Sequence, residues 1–147
     1  MKLIVLLGRI FYSAIFILGG IDNLVDAKAV SYAASAGVPF PSVLVPLAGL
    51  VALLGGMSIL LGLKAKIGGW LLVLFLVPVT LMMHNFWAVA DPQMRMMQMI
   101  NFEKNLSLLG GAILIAYFGS GPLSLEKTGP MEGKTLRVRE TAYRKAA

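Results

Sequence analysis

The stretch Asp91 to Phe118, DPQMRMMQMINFEKNLSLLGGAILIAYF, decides how this chain folds. Its uninterrupted apolar part, Leu106 to Phe118, is short of the ~20 residues that a bilayer-spanning helix needs. Asp91 followed by Pro92 is a helix-start signal, with a side chain that accepts from the first turn and a residue whose missing N–H costs nothing there. The spacing therefore predicts one helix from Pro92 to Phe118, about 40 Å long at 1.5 Å per residue. Such a helix carries Glu103 and Lys104 into or beside the membrane.

Working outward, three further apolar runs precede it. They extend over about residues 3–21, 43–63 and 67–84, with Arg9 as their only interior charge, and the fourth span is expected at about 98–118. Hydrophobic residues make up 58% of the 147 and charged residues only 14%, too few to build a polar shell around a soluble domain. The fold expected is an all-α membrane protein. Its form is an antiparallel bundle of four transmembrane helices with a short interfacial helix after helix 1, within a domain of residues 1–125. The interfacial helix is read from Asp26 to Ala36, where Gly37, Pro39 and Pro41 stop it.

The net charge is +6, and much of it lies in residues 126–147, expected to form a flexible basic tail. Basic residues on a tail beside anionic lipid explain the charge, and no folded basic element points to nucleic acid. Lys2, Lys64, Lys66 and the tail fall on one side of the four spans, which predicts cytoplasmic N- and C-termini in a bacterial inner membrane. A cleaved signal peptide is the competing reading of the N-terminus. The cleavage-like Ala34-Ser35-Ala36 lies too far beyond the apolar run, with Asp22, Asp26 and Lys28 between. The chain has no cysteine, which excludes disulfides, thiolate metal sites and thiol redox chemistry of its own.

Each span carries one Gly-Gly pair: Gly19-Gly20, Gly55-Gly56, Gly68-Gly69 and Gly110-Gly111. In lipid no hydrophobic drive holds helices together, so small residues that admit close backbone approach are the packing device. Pro46 and Pro78 fall inside the second and third spans.

The polar residues within or beside the spans are the candidate site. Arg9 either snorkels to the nearer headgroups or turns into the bundle. At the opposite end stand Asp22, then His84 and Asn85, then Asn101, Lys104 and Asn105, the last three spaced as one stripe of a helix. Two readings stay open. One is a pocket in which His84, Asn85 and Lys104 hydrogen-bond the head group of a quinone or similar ligand. Asp22 would then position Lys104, while Trp87 and Phe102 cover the ring. The other is a set of polar contacts, including an Asp22–Lys104 ion pair, that only locks helices together. A lone histidine with few acids nearby forms no closed metal site, so no metal is expected. Met94, Met96, Met97 and Met99 read as core or partner contacts rather than copper ligands. No residue presents itself as catalytic.

Gly8-Arg9, Phe16 to Leu24 (FILGGIDNL), the Gly37-Val-Pro-Phe-Pro41 hinge, His84-Asn85-Phe86-Trp87 and Asn101 to Gly111 (NFEKNLSLLGG) together resemble the DoxX family over about residues 3 to 125. The resemblance implies a four-helix bacterial inner-membrane protein. It also implies a link to quinone-coupled oxidoreduction, as in the small membrane subunit of thiosulfate:quinone oxidoreductase, or to membrane complexes of oxidative-stress and thiol-redox systems. Many relatives place a glutamate shortly before the Gly-Gly pair of the second span. Here that region reads Leu50-Val-Ala-Leu-Leu-Gly-Gly56, which takes away a partner for Arg9 and a proton-carrying group. The expectation is a membrane component of a quinone-linked redox system that binds the quinone or anchors a catalytic partner subunit, with homo-oligomerisation open. The alternative is a non-catalytic scaffold or a handler of lipid or small molecules.

Overall fold

A computed structural model describes residues 2–126. The basic tail expected over 126–147 lies, but for Glu126, outside the described residues. The described part is helical throughout: α1 Lys2–Val25, α2 Ala27–Ser35, α3 Pro41–Leu61, α4 Ala65–Met83, a 3₁₀ turn Phe86–Ala88, and α5 Pro92–Phe118. Among the described residues there is no strand. Among the described residues three stretches are long and apolar enough to cross a membrane: Lys2–Val25, Pro41–Leu61 and Ala65–Ala88.

The helix ends follow the local chemistry. The Asp91 carboxylate accepts from the Met94 amide at 2.8 Å with Pro92 behind it, so α5 starts where the Asp-Pro pair predicts. Asp26 caps α2 in the same way, accepting from the Lys28 amide at 2.9 Å. α3 stops at Leu61 because Gly62 takes a left-handed φ of 64° and its amide turns back to the Ile59 carbonyl. Only residues 62–64 then separate α3 from α4, which makes these helices antiparallel neighbours.

The helices stand in the order α1, α3, α4, α5, each packed on the next, with α2 lying against α3. The glycine pairs set this order. Gly20 of α1 and Gly49 of α3 touch backbone to backbone, since a Cβ built on either would come within 2.8 Å of the other's carbonyl oxygen. One pair then serves two neighbours, because consecutive helical residues point about 100° apart. Gly56 faces Phe16 and Ile17 of α1, while Gly55 faces Leu72 and Gly68 of α4. Gly68 returns the contact to α3, and a Cβ built on Gly69 would come within 2.7 Å of the Ala116 amide nitrogen of α5. A Cβ built on Gly19 or Gly110 would meet no other element within 4 Å among the described residues.

Phe16, Ile59, Ala65, Leu72, Leu76 and Ala112 form the buried core between these crossings. The Tyr12 hydroxyl donates to the Leu108 carbonyl at 2.6 Å and joins α1 to α5 across the bundle. Large apolar side chains outside the core, such as Leu3, Phe11, Leu18, Leu54, Trp70 and Leu74, are exposed, as lipid-facing residues are.

The two classes of glycine make a direct comparison. Gly69→Ala forces a methyl group onto the α5 backbone and should cost about 1–3 kcal/mol. Gly19→Ala meets open space and should leave stability unchanged or slightly raised. Thermal unfolding of both variants in one detergent checks this, and equal losses would refute the packing assignment.

Candidate functional site

Consider the bundle as having a near end, where α1 begins, and a far end, where α2 and the 3₁₀ turn lie. At the near end the structure turns Arg9 into the protein. The side chain is 6% exposed, and its guanidinium donates to the Ser120 carbonyl at 3.3 Å and to that of Leu123. Residues 119–126 wrap under the bundle to supply those carbonyls. Leu125 and Glu126 donate their amides to the Leu61 and Gly62 carbonyls at 3.1 Å, and the Glu126 carboxylate accepts from the Lys64 amide at 2.9 Å. A side chain at Gly62 would collide with Arg9, so the glycine both ends α3 and makes room for the cation. The arginine thus has backbone oxygens as partners, while its Nε and the hydroxyl of Ser13, one turn further along α1, have none among the described residues. Removing Arg9 would orphan two carbonyls, which is the chemistry of a fastening.

The far end holds a cavity of about 550 Å³ between α2, α3 and α4, the size at which small-molecule sites are usually found. Its walls are apolar: Leu44, Val45 and Val51 of α3, Leu74, Phe75 and Val79 of α4, with Ala29 and Ala33 of α2 over them. Asn23, Tyr32 and His84 are the polar or hydroxyl-bearing side chains among the residues lining it. The cavity lies where α3 and α4 carry Pro46 and Pro78, away from the glycine contacts that draw the two helices together nearer the other end.

Tyr32 and His84 are joined behind the cavity by Gln98 of α5. The Gln98 amide donates to the Tyr32 hydroxyl oxygen at 3.0 Å, and its carbonyl oxygen lies 2.7 Å from His84 Nδ1. One carboxamide thereby ties α2, the end of α4 and α5 together. With the amide in this orientation its oxygen faces His84 and can only accept, which puts the proton on Nδ1. Neutral His84 is then the tautomer with Nε2 bare, and Tyr32, which accepts from Gln98, keeps its own proton to donate.

Of the residues singled out in the sequence, His84 is the one that lines the cavity. Phe86, Trp87 and Phe102 form an edge-to-face cluster with ring centroids 5.2–5.9 Å apart, so Trp87 and Phe102 pack on one another outside it. Asn85 precedes that turn and is half-buried. Lys104 donates to Asn101, one turn back on the same helix, at 3.0 Å, and Asp22 is exposed at the end of α1. Asn105 is 7% exposed, buried on α5 one turn before the Leu108 carbonyl that accepts from Tyr12. His84 thus lines the cavity and bonds Gln98 of α5, while Lys104 bonds Asn101 further along α5. The backbone contact of Gly69 with Ala112 and Ala116 joins α4 to α5 at the near end, and the His84–Gln98 hydrogen bond joins them at the far end. Tyr32 and Gln98 were not among the candidates. Gln98 does extend the polar stripe Asn101–Asn105 by one turn, at the same i, i+3, i+7 spacing, and that signal was readable.

Among the described residues no group of three or more histidines or acids is placed to hold a metal ion. An all-helical membrane protein with an apolar cavity under a short helix is the class that this geometry defines. Residues 4–85, more than half of the chain, match the DoxX family model, and the chain belongs to that family. It is 28% identical over 125 residues to the inner membrane protein YphA of Escherichia coli (strain K12), an alignment covering 84% of this chain and 89% of that protein. No solved structure matches the chain. The family match ends at Asn85, so it covers the cavity walls and His84 but not Gln98.

Proposed function

We propose that this DoxX protein is the quinone-binding component of a membrane redox system, with the cavity between α2, α3 and α4 as the quinone site. The observation that carries the reading is a largely aliphatic cavity within a membrane bundle, with Phe75 in its wall and two hydrogen-bonding side chains, His84 and Tyr32, on its lining. A quinone has that composition: a flat ring with oxygen atoms at its ends and an apolar tail. With no cysteine in the chain, electrons would pass to or from the bound ligand through a partner subunit, which makes this protein a binding and anchoring component rather than a complete enzyme.

Organic extraction and mass spectrometry of the detergent-purified protein test this. The native protein should carry quinone from its membrane. Ala48→Trp, which fills the cavity from α3, should lower the occupancy about tenfold or more while the protein stays folded, and Lys104→Ala should retain it. Absence of quinone from the native protein would favour the helix-locking scaffold and sink the reading.

The same proposal includes four crossings, with α5 as the fourth, α2 at the outer interface and both termini in the cytoplasm. At 27 residues α5 is about 40 Å long, so it can pass a ~30 Å hydrocarbon core and project from it. Lys64 and Lys66 stand at the near end with Arg9, on the side that positive charge favours. Because the chain lacks cysteine, single cysteines report topology cleanly. In intact cells an impermeant maleimide should label Gln93→Cys and spare Lys64→Cys and Leu125→Cys. Labelling of Leu125→Cys together with Gln93→Cys would remove the fourth crossing.

A further inference from the structure

Resting on that reading of the cavity, we infer that Gln98 makes the site select the hydroxyl-bearing, reduced form of its ligand, the quinol, over the quinone. The argument is one of donor and acceptor counting. The Gln98 amide donates to Tyr32, so its oxygen has to accept from His84 Nδ1. What the pair then has left for a ligand is one acceptor, the bare Nε2 of His84, and one donor, the Tyr32 O–H.

A quinol hydroxyl meets both: it donates to Nε2 and its oxygen accepts from Tyr32. A quinone oxygen can use only the tyrosine proton, and Nε2 would face it lone pair to lone pair in an apolar cavity, where an unmet polar group is costly. Gln98 is not among the residues lining the cavity, so it is a positioning residue that acts through the two that are. One hydrogen bond made rather than missed corresponds to roughly tenfold in affinity. Tenfold tighter binding of the two-electron-reduced form raises the potential of the bound couple by about 30 mV.

The test uses the full-length protein in nanodiscs and a ubiquinone analogue with a short saturated tail, in three states. These are the oxidised form, the reduced form held reduced by excess dithionite, and the dimethyl ether of the reduced form, which keeps the shape and loses both hydroxyl protons. In the native protein the reduced form should bind about tenfold more tightly than either of the others. Tyr32→Phe removes the donor and should weaken both redox forms while the reduced form stays ahead.

Gln98→Glu is the decisive variant, because the carboxylate is isosteric but only accepts. It accepts a hydrogen bond from the Tyr32 O–H and favours an imidazolium at His84, so Nε2 becomes a donor and the preference should move to the oxidised form. Equal binding of the two redox forms, or tighter binding of the oxidised form, by the native protein overturns the inference and leaves the quinone site standing. Binding of none of the three removes the quinone site itself.

Discussion

The bundle depends on where helix backbones can touch. In a bilayer, lipid solvates an apolar side chain as well as another helix does, so stability has to come from close packing and from polar groups that find partners. Gly20 against Gly49, Gly55 against Gly68 and Gly69 against Ala116 are the places where this happens, and α1, α3, α4 and α5 stand in the order those contacts impose. The polar fastenings are placed across the same stack. Tyr12 reaches the Leu108 carbonyl, and Arg9 holds the returning segment at Ser120 and Leu123.

The same constraint produces the cavity. α3 and α4 are in close contact at Gly55 and Gly68, and the cavity lies towards the far end, where its lining includes Leu44, Val51, Leu74 and Val79 and each continuous helix carries a proline. The gap is covered by α2, a helix of nine residues whose Ala33 is buried. A helix so short has little stability of its own and relies on tertiary contacts. One of these is the hydrogen bond from Gln98 to Tyr32. The polar group that helps to hold the cover in place is thus also the one that assigns the proton on His84. Structure and chemistry meet in a single carboxamide.

Much of the architecture was legible in the sequence. The apolar runs, the glycine pairs and the Asp91-Pro92 start announced the helices and the means of packing them, because helix periodicity and capping are local properties. His84 was legible as a candidate because a histidine at the end of an apolar run needs a reason to be there. Its partners were not. Tyr32 joins the site only through the way α2 folds back over α3, and no local pattern states which way a nine-residue helix docks. Lys104 turns to Asn101 on its own helix and the α5 side chain that reaches His84 is Gln98, a choice among polar residues of one stripe that spacing alone does not make. Arg9 posed the same difficulty. Its inward direction depends on residues 119–126 returning beneath the bundle, more than 100 positions away in the chain.

His84 is the only histidine in the chain, so its imidazole nitrogens can be observed by ¹⁵N NMR in uniformly labelled protein without assignment. For the neutral ring the structure predicts a protonated Nδ1 hydrogen-bonded to a carbonyl oxygen and an unprotonated Nε2. A Gln98→Leu variant should lose the Nδ1 hydrogen bond. Finding the proton on Nε2 instead, with Nδ1 bare, would mean that the Gln98 amide is turned the other way, and the account of how this site is held and what it recognises would fail.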